Sequence, residues 1–166
     1  DIAYTPDAVR RIVARAIAGR YVLTSQMARL RCDSRAERAL IPAFVFFFQM
    51  LYPFRWVNNV GRPAAAAAAG GSMLADREAL ARAGGIAAIR TALIDDCALG
   101  AAMKRQGPIW LGLTNRVTSL RPYPSFGDIR RMVARSAYAQ LDYSPLLLAG
   151  TIAGLLVTYL AAPVLT

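Results

Sequence analysis

Two adjacent carboxylates, Asp95 and Asp96, stand in "TALIDDCALGAAMKRQG" (residues 91–107), after the apolar pair Leu93 and Ile94 and ahead of an apolar-periodic run. In a chain with ten acidic residues against twenty basic ones, the pairing asks for a reason. One reason is local: an Asp opening a helix accepts backbone N–H bonds and meets the positive end of the helix dipole. The other is chemical, since a carboxylate in a cleft at the mouth of a sheet serves as a general base when an acceptor hydroxyl lies within hydrogen-bond reach. Capping explains one carboxylate more easily than two. Both readings stay open at this level.

The remaining inventory narrows the chemistry. The chain has no histidine, which removes Ser-His-Asp, Cys-His and His-ligated zinc arrangements within it. Cys32 and Cys97 make neither a metal spacing nor a disulfide framework. Gly70 and Gly71, ahead of Ser72 in "AAAAAAGGSMLADREAL" (64–80), mark either a close backbone approach or a simple turn.

The elements that must position these residues read as α/β. "PDAVRRIVARAIA" (6–18) places Val9, Ile12, Val13, Ala16 and Ile17 on one face of a helix opened by Pro6 and closed by Gly19, and "YVLTSQM" (21–27) alternates like a strand. Residues 64–69 are expected as a small-residue strand, "SML" as another, and Asp76 as the start of a helix. Asp95 or Asp96 caps a helix to Arg105 that Gly107-Pro108 ends; "PIWLGL" and "RVTSLRPY" follow as two strands, and "SFGDIRRMVARSAYAQL" (125–141) as a helix.

Charge and hydropathy point to a membrane surface. Mean hydropathy is +0.35 and 56% of residues are hydrophobic, high for a purely soluble protein. "PLLLAGTIAGLLVTYLAAPVLT" (145–166) carries no charge, and its length corresponds to about 33 Å of helix, close to the ~30 Å hydrocarbon core of a bilayer. Residues 1–143 therefore read as the preceding domain and 144–166 as a transmembrane helix. "ALIPAFVFFFQMLYPF" (39–54), bracketed by Pro42 and Pro53 and flanked by Arg35, Arg38 and Arg55, reads as a helix lying in the membrane interface rather than crossing it. The net charge of +10, all arginine on the basic side except Lys104, suits anionic headgroups, and Arg130, Arg131 and Arg135 before the span place the preceding domain in the cytoplasm. The arginines are dispersed without interleaved aromatics, which argues against nucleic acid. The chain opens on Asp rather than Met and reads as a C-terminal fragment of something larger.

The order "GGSMLADREAL", "GGI", "LIDDCALGAAMKRQG", a strand pair, an Arg-bearing helix and a span resembles the catalytic half of membrane-bound family-2 glycosyltransferases. "ERALIPAFVFFFQMLYPFRWVN", "ALIDDCALG" and "GPIWLGLT" resemble its hopene-associated branch, a bacterial relative of ceramide glucosyltransferase. The resemblance implies an α/β fold, the C-terminal part of a GT-A, Rossmann-like domain. It also implies inverting transfer from a nucleotide-sugar donor to a lipid, hopanoid or polyprenoid acceptor at the cytoplasmic face of a bacterial inner membrane. The family's acidic pair followed by x-x-Leu matches Asp95, Asp96 and Leu99, which makes Asp96 the base, its proton affinity raised by Leu93, Ile94, Leu99 and the neighbouring Asp95. Gly70, Gly71 and Ser72 fall on the family's acceptor-side strand. Asp1 falls on the last Asp of a metal-binding Asp-x-Asp, implying Mg²⁺ or Mn²⁺. Arg131 and Arg135 stand where relatives clamp the donor diphosphate, although the Trp of that motif is missing and lipid headgroups are the plainer contact. The rival reading is a non-catalytic membrane-anchored scaffold in which Asp95 and Asp96 only cap.

Overall fold

The computed structural model describes residues 1–141, 143–157 and 159, and of Arg135 the backbone. Two units divide the chain, Asp1–Ile129 and Arg130–Thr166. The first is a mixed α/β unit built on a four-stranded sheet in the order β1-β4-β2-β3, with β1 at Ile2–Tyr4, β2 at Leu23–Arg29, β3 at Ser72–Ala75 and β4 at Ile109–Ser119. Strands β2 and β4 run parallel from Leu23↔Ile109 to Met27↔Leu113, after which the register breaks and Arg29 faces Thr118. The surplus residues on β4 interrupt the parallel register, and its last three residues pair antiparallel with β1 on the opposite edge of the strand. "PIWLGL" and "RVTSLRPY" are thus one strand with an irregularity, not two.

Helix α1 (Ala8–Gly19) covers β2 with Ala8 and Ile12 buried and Ala16 half-buried. The wider face expected from periodicity is only partly used: Val9, Val13 and Ile17 are exposed, because the alanines are the residues that let the helix lie close to the sheet. Arg20 ends it in the left-handed region at φ 50°.

Helix α2 (Arg35–Leu51) begins with a capping box. Ser34 Oγ accepts from Glu37 N at 3.1 Å, and Glu37 Oε2 accepts from Ser34 N at 2.8 Å and Asp33 N at 2.9 Å. Glu37, 1% exposed, also accepts from Tyr123 N at 2.7 Å, while Ser34 Oγ donates to Tyr123 O at 3.1 Å, so the helix start is latched to the loop after β4. These N–H donors hold the Glu37 carboxyl down at about 2. Phe44, Val45 and Phe48 of α2 and Tyr52 just after it pack on the core of Leu23, Val57, Leu99, Met103, Ile109 and Leu111, whereas Phe46, Phe47, Met50 and Leu51 face outward. A short turn α3 (Phe54–Val57) follows.

Residues 64–69 form no strand; Ala67, Ala68 and Ala69 are buried as an irregular segment. Helix α4 (Arg77–Arg82) is capped by Asp76, whose carboxylate accepts from Ala79 N at 2.8 Å. Helix α5 (Asp95–Lys104) lies against the alanine segment. A Cβ added at Gly100 would stand 2.7 Å from Ala67 C and 2.9 Å from Ala68 N, so this approach demands glycine.

Helix α6 (Phe126–Gln140) runs from the first unit into the second, where Tyr138 and Tyr143 meet edge-to-face at 5.4 Å. Helix α7 (Pro145–Leu156) is capped by Ser144 Oγ, which accepts from Leu147 N at 3.3 Å, and is apolar and exposed all round. Val157 and Tyr159 beyond it are still helical. Most of the rest of the expected 144–166 span, residues 158 and 160–166, lies outside the described residues.

Two outcomes are expected. Gly100→Ala forces backbone apart and lowers stability by about 1–3 kcal/mol in urea denaturation. Glu37, its folded-state pKa depressed from 4.5 to about 2, stabilises the fold above the higher value and loses that contribution as pH falls toward the lower one. Melting temperatures of the wild type should therefore drop across that acidic window more steeply than those of Glu37→Gln.

Candidate active site

Ile94, without a side-chain cap, precedes α5, and Asp95 and Asp96 are its first two helical residues rather than its N-cap. Each serves the amide that follows it: Asp95 Oδ1 accepts from Asp96 N at 2.9 Å, and Asp96 Oδ1 from Cys97 N at 2.8 Å. Both sit at the positive end of the helix, where such amides otherwise lack partners. The two then part. Asp95 is exposed, and Asp96 turns inward, its Oδ2 accepting from Gly70 N at 2.8 Å.

The sheet explains why Gly70 is there. Ser72 pairs with Gln26 at the start of β3, so Gly71 and Gly70 lie beside the carboxyl end of β2, and a Cβ on Gly71 would stand 2.7 Å from Ala28 Cβ. Gly71 is a close approach to Ala28, whereas a Cβ at Gly70 would meet the Asp96 carboxylate at ordinary contact distance. Tyr4 Oη of β1 donates to Gly71 O at 3.4 Å, and Leu120 N donates to Asp1 O at 3.0 Å at the end of β4. Gly70, Gly71 and Ser72 thus lie toward the carboxyl end of β2, with the start of α5 brought to them by the Asp96–Gly70 bond, while Asp1 lies at the far end of β4; the carboxyl ends of parallel strands are where α/β sheets place their ligand sites.

Burial is the main force on the Asp96 carboxyl and pushes its pKa up; the Asp95 charge adds to it, and the Gly70 and Cys97 amides oppose it. Burial likewise lifts the Cys97 thiol to about 11, too high for a reactive thiolate. Two oxygens of a carboxylate offer about four acceptor positions, so Asp96 keeps capacity for a proton donor beyond its two amides.

Arg131 is exposed on α6 in the second unit, and the Arg135 side chain lies outside the described residues. Asp1 is exposed, and no group of three His, Cys, Asp or Glu comes together among the described residues, so its carboxylate, though of the right donor type for a hard cation, does not make a metal site alone. Two clefts lie apart from Asp96. One of about 700 Å³ is lined by Arg11, Arg15, Gln26, Trp110, Asn115 and Arg116, with Arg15 stacked 5.0 Å from the Trp110 ring centre. The other, about 210 Å³, includes Asn58, Lys104 and Gln106. Sequence reasoning passed over Ser25 and Lys104. Lys104, nearly buried, donates to Val57 O and Ala65 O at 2.6 Å each and so ties α5 to the loops after α3. Being the sole lysine in an arginine-rich chain was its available signal.

A raised folded-state pKa means that ionising Asp96 costs the fold stability: the cost is absent below the ordinary value of 3.8 and grows as pH rises through the folded value. Asp96→Asn should accordingly gain on the wild type in urea denaturation as pH climbs from below 3.8 to neutrality, and a pH-independent difference would contradict the burial of this carboxyl. Among curated proteins and among solved structures, none matches the chain. The model of glycosyl transferase family 21 matches residues 1–164 of the 166, and the chain belongs to that family.

Proposed function

We propose that this chain supplies the acceptor side and catalytic base of an inverting glycosyltransferase that moves a sugar from a nucleotide-sugar donor to a lipid or hopanoid-type acceptor at the cytoplasmic face of a bacterial inner membrane. One observation carries the reading. Asp96 is a half-buried carboxylate, its proton affinity raised, fixed by the Gly70 amide toward the carboxyl end of β2. In the reaction Asp96 accepts the proton of the acceptor hydroxyl while that oxygen attacks the anomeric carbon. The bond from that carbon to the donor diphosphate breaks on the opposite face, and configuration inverts. A higher pKa makes the carboxylate a stronger base at a given ionised fraction.

The lipid-type acceptor is supported by α2 and by the family, that of ceramide glucosyltransferase. The stretch Arg35–Val57 is long and apolar enough to cross a membrane. Its inner face is spent on the protein core, however, which favours a helix lying in the interface with Phe46, Met50 and Leu51 in the lipid and Arg38 and Arg55 at the headgroups. An acceptor held there has its hydroxyl near the aqueous side, where Asp96 works. A divalent cation, Mg²⁺ or Mn²⁺, belongs to the same proposal, with Asp1 as one oxygen ligand and further ligands from the donor diphosphate; when bound it neutralises charge on the leaving group.

Asp96→Asn should lower transfer by about 10²–10⁴-fold while leaving the fold intact by circular dichroism. The assay is nucleotide-sugar consumption in native membranes that hold the donor-binding half as well as this chain, since the acceptor half alone is not expected to turn over. Transfer at the wild-type rate would take Asp96 out of the mechanism and favour the membrane-anchored scaffold.

A further inference from the structure

Ser25 lies on β2 with no exposed surface, and its hydroxyl engages both backbone groups of one residue: it accepts from Ala69 N at 2.7 Å and donates to Ala69 O at 3.0 Å. Ala67–Gly70 belongs to no strand, so this side chain replaces the ladder bonds that β2 would otherwise give it. The consequence falls on the next residue. The Ala69 carbonyl and the Gly70 N–H are the two ends of one planar trans peptide and point in opposite directions. Turning the carbonyl toward Ser25 turns the N–H away from it, and that N–H is the one 2.8 Å from Asp96 Oδ2.

We propose that Ser25 is a positioning residue for Asp96: through the Ala69–Gly70 peptide plane it aims the amide that orients the carboxylate. The flanks of this plane are held separately, by Cys97 Sγ against Ala68 O at 3.7 Å and Tyr4 Oη on Gly71 O, so losing the hydroxyl frees the plane rather than the whole segment. With the plane free to rotate, Gly70 N–H leaves Asp96, and the carboxylate loses one of its two amide donors and holds its proton more tightly. The catalytic consequence rests on the reading of Asp96 as the base, but the geometric one does not.

The test uses the whole chain in detergent with carbon-13 in its aspartate carboxyls, the Asp96 signal being assigned by its loss in Asp96→Asn. In Ser25→Ala the Asp96 titration midpoint should move above that of the wild type. Ser25→Cys, which keeps the volume and a weaker donor, should fall between them and serves if the alanine variant does not fold. Transfer should drop about ten-fold in kcat at unchanged acceptor KM. The acidic limb of the pH profile should shift with the midpoint, and Ser25→Ala should add no loss on top of Asp96→Asn. Midpoints in folded Ser25 variants that coincide with the wild type overturn the proposal, as does a kcat loss fully additive with Asp96→Asn. A shifted midpoint in a protein whose Asp96→Asn variant still transfers normally keeps Ser25 as the aiming residue and removes the base.

Discussion

Helix α5 reaches the Ala67–Gly70 backbone because residue 100 has no side chain, and the candidate site depends on that approach. Asp96 and Gly100 are four residues apart, one turn of helix, and so share a face. The glycine brings the helix axis in until backbone meets backbone, and the carboxylate one turn earlier comes within 2.8 Å of Gly70 N. Any side chain at 100 would push the turn outward and stretch that bond. Lys104, a further turn along, closes the other end by donating to Val57 O and Ala65 O. A single helical face thus carries an acid, a gap and a cation, each matched to a different part of one irregular loop.

That loop also marks where the sequence stops being legible. Strand β2, strand β3, the Asp76 cap and helices α1 and α6 follow from periodicity and capping residues, because local pattern and tertiary environment agree there; α5 was legible as a helix, but its N-cap is Ile94 and not either Asp. The alanine run does not. Six small residues carry no periodicity, and what holds them are side chains far off in the chain: Ser25 on Ala69, 44 residues away, Lys104 on Ala65 and Cys97 on Ala68. Strand β4 was readable as extended but not as continuous, since the break at Met27/Arg29 comes from how far β2 extends, not from the residues of β4. On α1 the apolar stripe was legible but not its use, because van der Waals approach to the sheet selects Ala8 and Ala16 over Val9 and Ile17.

Helix α2 presents the opposite case, a segment whose apolar excess is visible at once and whose anchoring is not. Apolar residues on both faces would let the helix slide or rotate on the core at little cost. Glu37 prevents it. Its two oxygens take three amides, from Asp33, Ser34 and Tyr123, and each bond fixes a direction that hydrophobic contact cannot. The outward row of Phe46, Phe47, Met50 and Leu51 is therefore held at a defined azimuth relative to α5, whose N-terminus packs next to Tyr52 through Cys97. On the proposed reading, in which this row meets lipid, it is kept in register with the carboxylate because something polar sets the rotation of the helix between them.

The adjacency of Asp95 and Asp96 has the same geometric root. Successive helical residues are about 100° apart, so two acids in a first turn cannot face the same loop. One turns to Gly70 and the other is left at the surface, where it accepts the amide of its neighbour and places a second negative charge beside the first. That charge reinforces what burial does to Asp96, while the helix terminus and the Gly70 amide keep the ionised form accessible. A lone Asp at 96 would keep its amide bonds and lose part of the upward push; a lone Asp at 95 would cap and nothing more. Two roles in a single turn require two residues, which is why a chain so short of acids places them side by side.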